Sequence, residues 1–76
     1  MDKEYKKELL IKFGSNLRKL RLEKGFSQEQ LANELGVEVS QISRIERGLI
    51  NTSVLMLHSI SKILKTPEAK FFEFDK

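Results

Sequence analysis

The chain must turn sharply at Gly36, and this constrains its fold more than any other feature. The stretch SQEQLANEL, residues 27–35, has the pattern of a short helix. Ser27 and Gln30 make a capping box, and Leu31, Ala32 and Leu35 share one face. Apolar positions return at helical spacing with Val39, Ile42 and Ile45, and patterning stops at Gly48 after Arg47. Gly36 takes positive φ without a side-chain penalty, so the second helix can leave the first at a steep angle. Val37 is placed to plug the space between them, and the small Ala32 lets the two backbones approach. Leu31, Leu35, Ile42 and Ile45 complete a shared apolar wedge.

The flanking segments also read as helices. Leu10, Phe13, Leu17 and Leu20 form one stripe on a first helix over about residues 3–24. Gly14 is a local weak point inside it, and Gly25 is placed for a left-handed cap. A helix beginning near residue 54 is capped by Ser53 or Thr52, with Val54, Leu57, Ile60 or Ser61, and Leu64 facing inward. A short fifth helix has Thr66 as its cap, Pro67 at its first position, and Phe71 and Phe72 anchoring its end. Val, Ile and Thr nowhere alternate with polar residues long enough for a strand. The expected fold class is all-α: one compact five-helix domain over residues 1–76, without repeats or linkers.

A chain of 76 residues can build a self-supporting but marginal core, which pairing would reinforce. It has no cysteine, which excludes disulfides and thiolate metal sites. The single histidine, His58, has no ligand set around it and reads as a helix-surface or partly buried residue. With no Gly-rich phosphate loop and no convergent carboxylates, neither an enzyme nor a cofactor or metal is expected. The N-terminal MDKEYKKELLIKFG is charged throughout, so no signal peptide or membrane span is expected; the chain reads as complete and cytoplasmic. The formal net charge is +3. Residues 1–25 carry eight Lys and Arg against four acids, whereas residues 26–52 carry two against four. A nucleic acid would therefore be bound by placed residues, not by a cationic tail.

Two helices joined steeply through a glycine, over a common wedge, are a helix-turn-helix, which offers its second helix to a DNA major groove. The run LRKLRLEKGFSQEQLANELGVEVSQISRIERGLINTSVLMLHSISKIL resembles the Xre family of prokaryotic and phage regulators, over roughly residues 13–74. The ordered pair GFSQEQLANELGV and ISRIERG carries the resemblance. It implies a lambda-repressor-like fold, a helix-turn-helix at about 27–47 and a dimerisation region at about 54–74. It also implies a transcriptional regulator that binds a palindromic operator as a homodimer on double-stranded DNA.

On the second helix, Ser40, Ser43 and Arg44 share the face opposite Ile42 and Ile45. Arg44 can reach guanine O6 and N7. Gln41 can read adenine or hold a phosphate, Val39 can press on a thymine methyl, and Ser40 and Ser43 can bond bases or phosphates. By resemblance, Gln28 clamps the DNA backbone beside the unpaired amides of its helix start. Asn51, Thr52 and Ser53, joined by Arg47, form a second phosphate contact, with Arg18 and Lys19 adding longer-range charge. The resemblance also pairs Arg21 with Glu46, tying the first helix to the recognition helix. Two departures stand out. Glu38 occupies a place where the family often has Ser, Thr or Asp, and NTSVLML lacks proline and is unusually apolar.

Leu55, Met56 and Ile63 fall partly outside the inner stripe of the fourth helix, and Phe74 lies beyond the fifth. They are the expected dimer interface; the competing arrangement has Tyr5, Leu9 and Ile11 fold back over them. Glu29, Glu34 and Glu38 offer an acidic contact for RNA polymerase. The function alternatives are a restriction–modification controller, a phage-like repressor, an antitoxin-type regulator, and a non-catalytic protein-interaction module on the same fold.

Overall fold

The computed structural model describes residues 2–74; Met1, Asp75 and Lys76, which the expected domain span includes, lie outside the described residues. Four α-helices follow one another: α1 over Lys3–Glu23, α2 over Gln28–Leu35, α3 over Val39–Glu46 and α4 over Val54–Leu64. A 3₁₀ turn over Glu68–Phe72 closes the chain, and no strand occurs among the described residues.

Capping explains where these helices begin. Asp2 accepts from the Tyr5 amide at 2.8 Å. Ser27 accepts from the Gln30 amide at 3.0 Å while Gln30 accepts from the Ser27 amide at 2.8 Å. Ser53, and not Thr52, caps α4 by accepting from Met56 at 3.0 Å. Each such cap satisfies an amide that the first turn leaves without a partner. All four helices end with the amide just after the left-handed residue bonded back to the last turn: Phe26 to Arg21, Val37 to Ala32, Leu49 to Arg44, and Thr66 to Ser61. The reversal falls on glycine in the first three. In α4 it falls on Lys65, at φ 51°.

Phe13, Leu17, Leu31, Ala32, Ile42, Ile45, Ile60, Leu64 and Phe71 form the buried core. Full burial of each large aliphatic or aromatic side chain is worth about 1.5–3 kcal/mol. Leu20, Leu35 and Val37 are half-buried against it. The first turns of α1, through Glu8, lie wholly on the surface.

Two expectations need correction, and Gly14 has a further role. α1 runs unbroken through Gly14. A Cβ there would lie 2.6 Å from the Glu46 carbonyl oxygen and closer still to that of Ile45. Gly14 is therefore the point at which α1 and α3 approach backbone to backbone. The fifth helix is a 3₁₀ turn, with Pro67 at ψ 142° as its cap and Thr66 outside it, its hydroxyl donating to the Leu64 carbonyl. Five residues close too few i→i+4 bonds to nucleate an α-helix, and docking decides their shape. Asn16 donates to the Lys70 carbonyl at 2.7 Å, and Phe13 stacks with Phe72 at 5.3 Å between ring centroids. Finally, Val54 is 81% exposed. As the first residue of α4 it precedes the point where the helix meets the core.

Candidate nucleic-acid interface

The bend between α2 and α3 is made by Gly36 at φ 72°, ψ 31°. Val37 packs half-buried behind it, and Ala32 is buried where α3 crosses α2. Ile42, Ile45 and Glu46 occupy the inner face of α3. That leaves Ser40 and Arg44 exposed on its outer face, with Arg47 on the same side as the helix ends. Val39 is exposed at the first helical position, whereas Gln41 and Ser43 sit half-buried on the two flanks. Arg44 forms no ion pair among the described residues. Its guanidinium is thus uncommitted. Arg47 Nε donates within its own helix, 3.4 Å from the Ser43 carbonyl.

Beneath this face lies a buried ion pair. Arg21 Nε donates to Glu46 Oε2 at 2.6 Å and Nη2 donates to Oε1 at 3.0 Å. The two side chains are 5% and 2% exposed. The third guanidinium nitrogen, Nη1, donates to the Phe26 carbonyl at 2.7 Å. This is the bidentate fork that arginine makes with a carboxylate, and it fixes α1, the α1–α2 turn and α3 together. Gln28 joins the same group, its Nε2 donating to Glu46 Oε1 at 2.9 Å. One amide N–H of Gln28 is therefore spent inside the protein. The other N–H and the amide oxygen remain for an outside partner. No spacing in the sequence could have linked Gln28 to Glu46, because the contact arises from the crossing of α2 and α3. Gly14 carried a readable signal: it stands seven residues before Arg21, on the same face of α1.

The loop after α3 places Asn51 on the surface, Thr52 half-buried and Ser53 exposed. Ser53 uses its oxygen as the cap of α4 and keeps its O–H as a donor. Asn51 to Val54 also line an apolar cleft of about 210 Å³ with Leu9, Leu10, Phe13, Leu57 and Phe72. So Leu9 and Leu10 flank this cleft opposite the start of α4, while Ile11 packs against Gly48, whose added Cβ would fall 2.7 Å from the Ile11 Cα. Tyr5 stays exposed. Leu55 is 78% exposed on α4, with Met56 and Ile63 half-buried beside it. Phe74 is not on that flank: it lines a second cleft against α1 with Ile11, Ser15 and Lys19.

Arg18, Lys19, Glu29, Glu34 and Glu38 are all exposed. Among the described residues no group of three or more His, Cys, Asp or Glu is placed to hold a metal ion. His58 is on the surface of α4, its Nδ1 2.8 Å from Glu68 Oε2. That hydrogen bond holds the Glu68 carboxyl below its ordinary value, with help from the backbone of the 3₁₀ turn. Among the described residues, no helix is long and apolar enough to cross a membrane.

Known proteins share this fold. The chain is 40% identical over 63 residues to an HTH-type transcriptional regulator of Sinorhizobium medicae, covering 83% of this chain but 45% of that protein. It thus spans less than half the length of that relative. It is also 40% identical over 63 residues to the control protein C.BamHI of Bacillus amyloliquefaciens, covering 82% of this chain and 78% of the other. Among solved structures, the restriction-modification controller protein C.AhdI of Aeromonas hydrophila superposes with a TM-score of 0.79 at 38% identity, over 83% of this chain and 96% of that one. The controller protein C.Esp1396I, solved as a tetramer on its natural 35 base-pair operator, superposes with a TM-score of 0.73 at 40% identity, over 86% of each chain. The profile of the helix-turn-helix family HTH_3, of Xre type, matches residues 17–71, and this chain belongs to that family.

Proposed function

We propose that this chain is a sequence-specific DNA-binding transcriptional regulator that sets α3 in the major groove of a palindromic operator as a homodimer. The observation that carries this reading is the outer face of α3. It presents Ser40 and the uncommitted Arg44 on a helix that the buried Arg21–Glu46 pair holds at a fixed angle. In this reading Arg44, Ser40, Ser43, Gln41 and Val39 contact bases. Gln28, with its remaining N–H, and Asn51, Thr52, Ser53 and Arg47 hold phosphates on either side. The operator-bound form of C.Esp1396I supports it. No catalytic step is involved, and a protein with this role works in the cytoplasm, where bacterial DNA lies.

Within this class the chain is 40% identical both to the controller C.BamHI and to the rhizobial regulator, so neighbouring genes decide between a restriction–modification controller and another regulator. The dimer would form on the flank of α4 that carries Leu55, Met56 and Ile63, with Phe74 a separate contact at most.

Selection from random duplex DNA tests the reading. Enrichment of a palindrome with half-site centres about 34 Å apart, bound by two chains and weakened steeply by salt, is the expected result. Leu55→Glu should lower occupancy of the whole site while leaving the fold intact by circular dichroism. Capture of a protein partner by a chain that enriches no DNA sequence would replace this function with a protein-interaction role.

A further inference from the structure

Glu38 sits at the entrance to the proposed recognition helix, and its side chain has no hydrogen-bond partner among the described residues. It is the N-cap residue of α3, at φ −72° and ψ 143°, and its backbone carbonyl accepts from the Gln41 amide at 3.0 Å. Its side chain makes no capping bond, and it forms no ion pair among the described residues. Asp, Ser or Thr at this position has a short arm that folds back onto the first-turn amides. The extra methylene of glutamate carries the carboxylate past them, and the residue is exposed. Exposed Val39 and Ser40 follow it immediately.

In helix-turn-helix docking, the first residues of the second helix are those that meet base edges. A carboxylate there is an acceptor only, and phosphates repel it. The partners that bases can offer it are hydrogen-bond donors on the groove floor. The major groove has two such donors, cytosine N4 and adenine N6. Adenine places its N7 acceptor beside N6, which repels a carboxylate, whereas the N4 amine of cytosine is flanked by a C–H. Guanine and thymine present acceptors alone at their major-groove polar atoms.

Resting on the DNA-binding reading above, we propose that Glu38 is a specificity-determining residue that accepts a hydrogen bond from the N4 amine of one cytosine in each half-site. Beside it, Val39 meets the neighbouring base pair through an apolar contact. Negative charge at this position acts chiefly by rejecting wrong bases, since a carboxylate facing guanine O6 or thymine O4 leaves both acceptors without a donor.

The test is parallel selection from random duplex DNA with the intact chain, Glu38→Gln and Glu38→Ser, each checked for its helical fold by circular dichroism. The intact chain should enrich one cytosine per half-site, at the step contacted by the start of α3. In Glu38→Gln that preference should fall about tenfold and move toward adenine, for which an amide is the better partner. In Glu38→Ser it should disappear as the shorter side chain returns to capping. All other positions of the consensus should hold. Three identical consensus sequences would overturn the proposal. So would a uniform gain in affinity for Glu38→Gln, which would mean that Glu38 merely repels phosphate. A folded intact chain that enriches no sequence removes the DNA-binding reading itself, and this assignment with it.

Discussion

Glu46→Ala probes the joint on which the recognition helix rests. The substitution removes both oxygens that Arg21 donates to, at 2.6 and 3.0 Å, and the acceptor of the Gln28 amide. The guanidinium keeps only the Phe26 carbonyl, and its side chain is 5% exposed. A charge so placed cannot recover its hydration without opening the α1–α3 contact. Breaking a buried pair from one side costs about 3–5 kcal/mol, against the ~0–1 kcal/mol of an exposed pair. A domain of this size has a total stability of roughly 4–11 kcal/mol. The variant should therefore be near the threshold of folding. Urea denaturation followed by circular dichroism at neutral pH reads the loss directly. In a thermal melt, at about 4–8 °C per kcal/mol, the midpoint should fall by at least about 12 °C. The double variant Arg21→Met with Glu46→Leu should recover much of this, because it strands no charge. A loss below about 1 kcal/mol for Glu46→Ala would refute the reasoning, showing that water reaches the pair and that it does not anchor α3.

Gly14→Ala should destabilise the fold by about 1–3 kcal/mol in the same denaturation assay, because the new methyl meets the Ile45 and Glu46 carbonyls. Helix propensity alone demands a gain of up to ~1 kcal/mol, so the sign decides between the two effects. On DNA, Arg44→Ala should cost about 1–3 kcal/mol and relax one position per half-site, while Gln28→Ala should weaken all sequences alike in quantitative binding assays. Uniform loss for Arg44→Ala would assign it to phosphate. For Glu68, a carboxyl held low in the folded state stabilises above its unfolded value, and that contribution disappears as pH falls through the folded one. His58→Ala should raise the Glu68 midpoint in a carboxyl NMR titration toward the ordinary 4.5; an unmoved midpoint would assign the effect to the turn's backbone.

The three glycine stops, the capping box at Ser27 and the apolar stripes are local signals, each written within a turn or two of the residue it acts on. They settle the order of the four helices, the bend at Gly36 and the outward placement of Ser40 and Arg44. The fourth stop, on Lys65, has no such mark. A lysine in the left-handed region is held there by the bonds that close α4, not chosen by propensity.

Contacts between elements belong to the tertiary structure. It made Gly14 a close approach where propensity marks a weakness. It turned the last five residues of helical pattern into a 3₁₀ segment docked on Phe13 and Asn16, and it moved Phe74 away from α4 to the side of α1. Above all it brought Gln28 to Glu46 and left the Glu38 side chain without a capping bond. A sequence states what each residue can donate, accept or bury. Which donor finds which acceptor depends on the angles at which helices cross, and those are set only when the whole core packs at once.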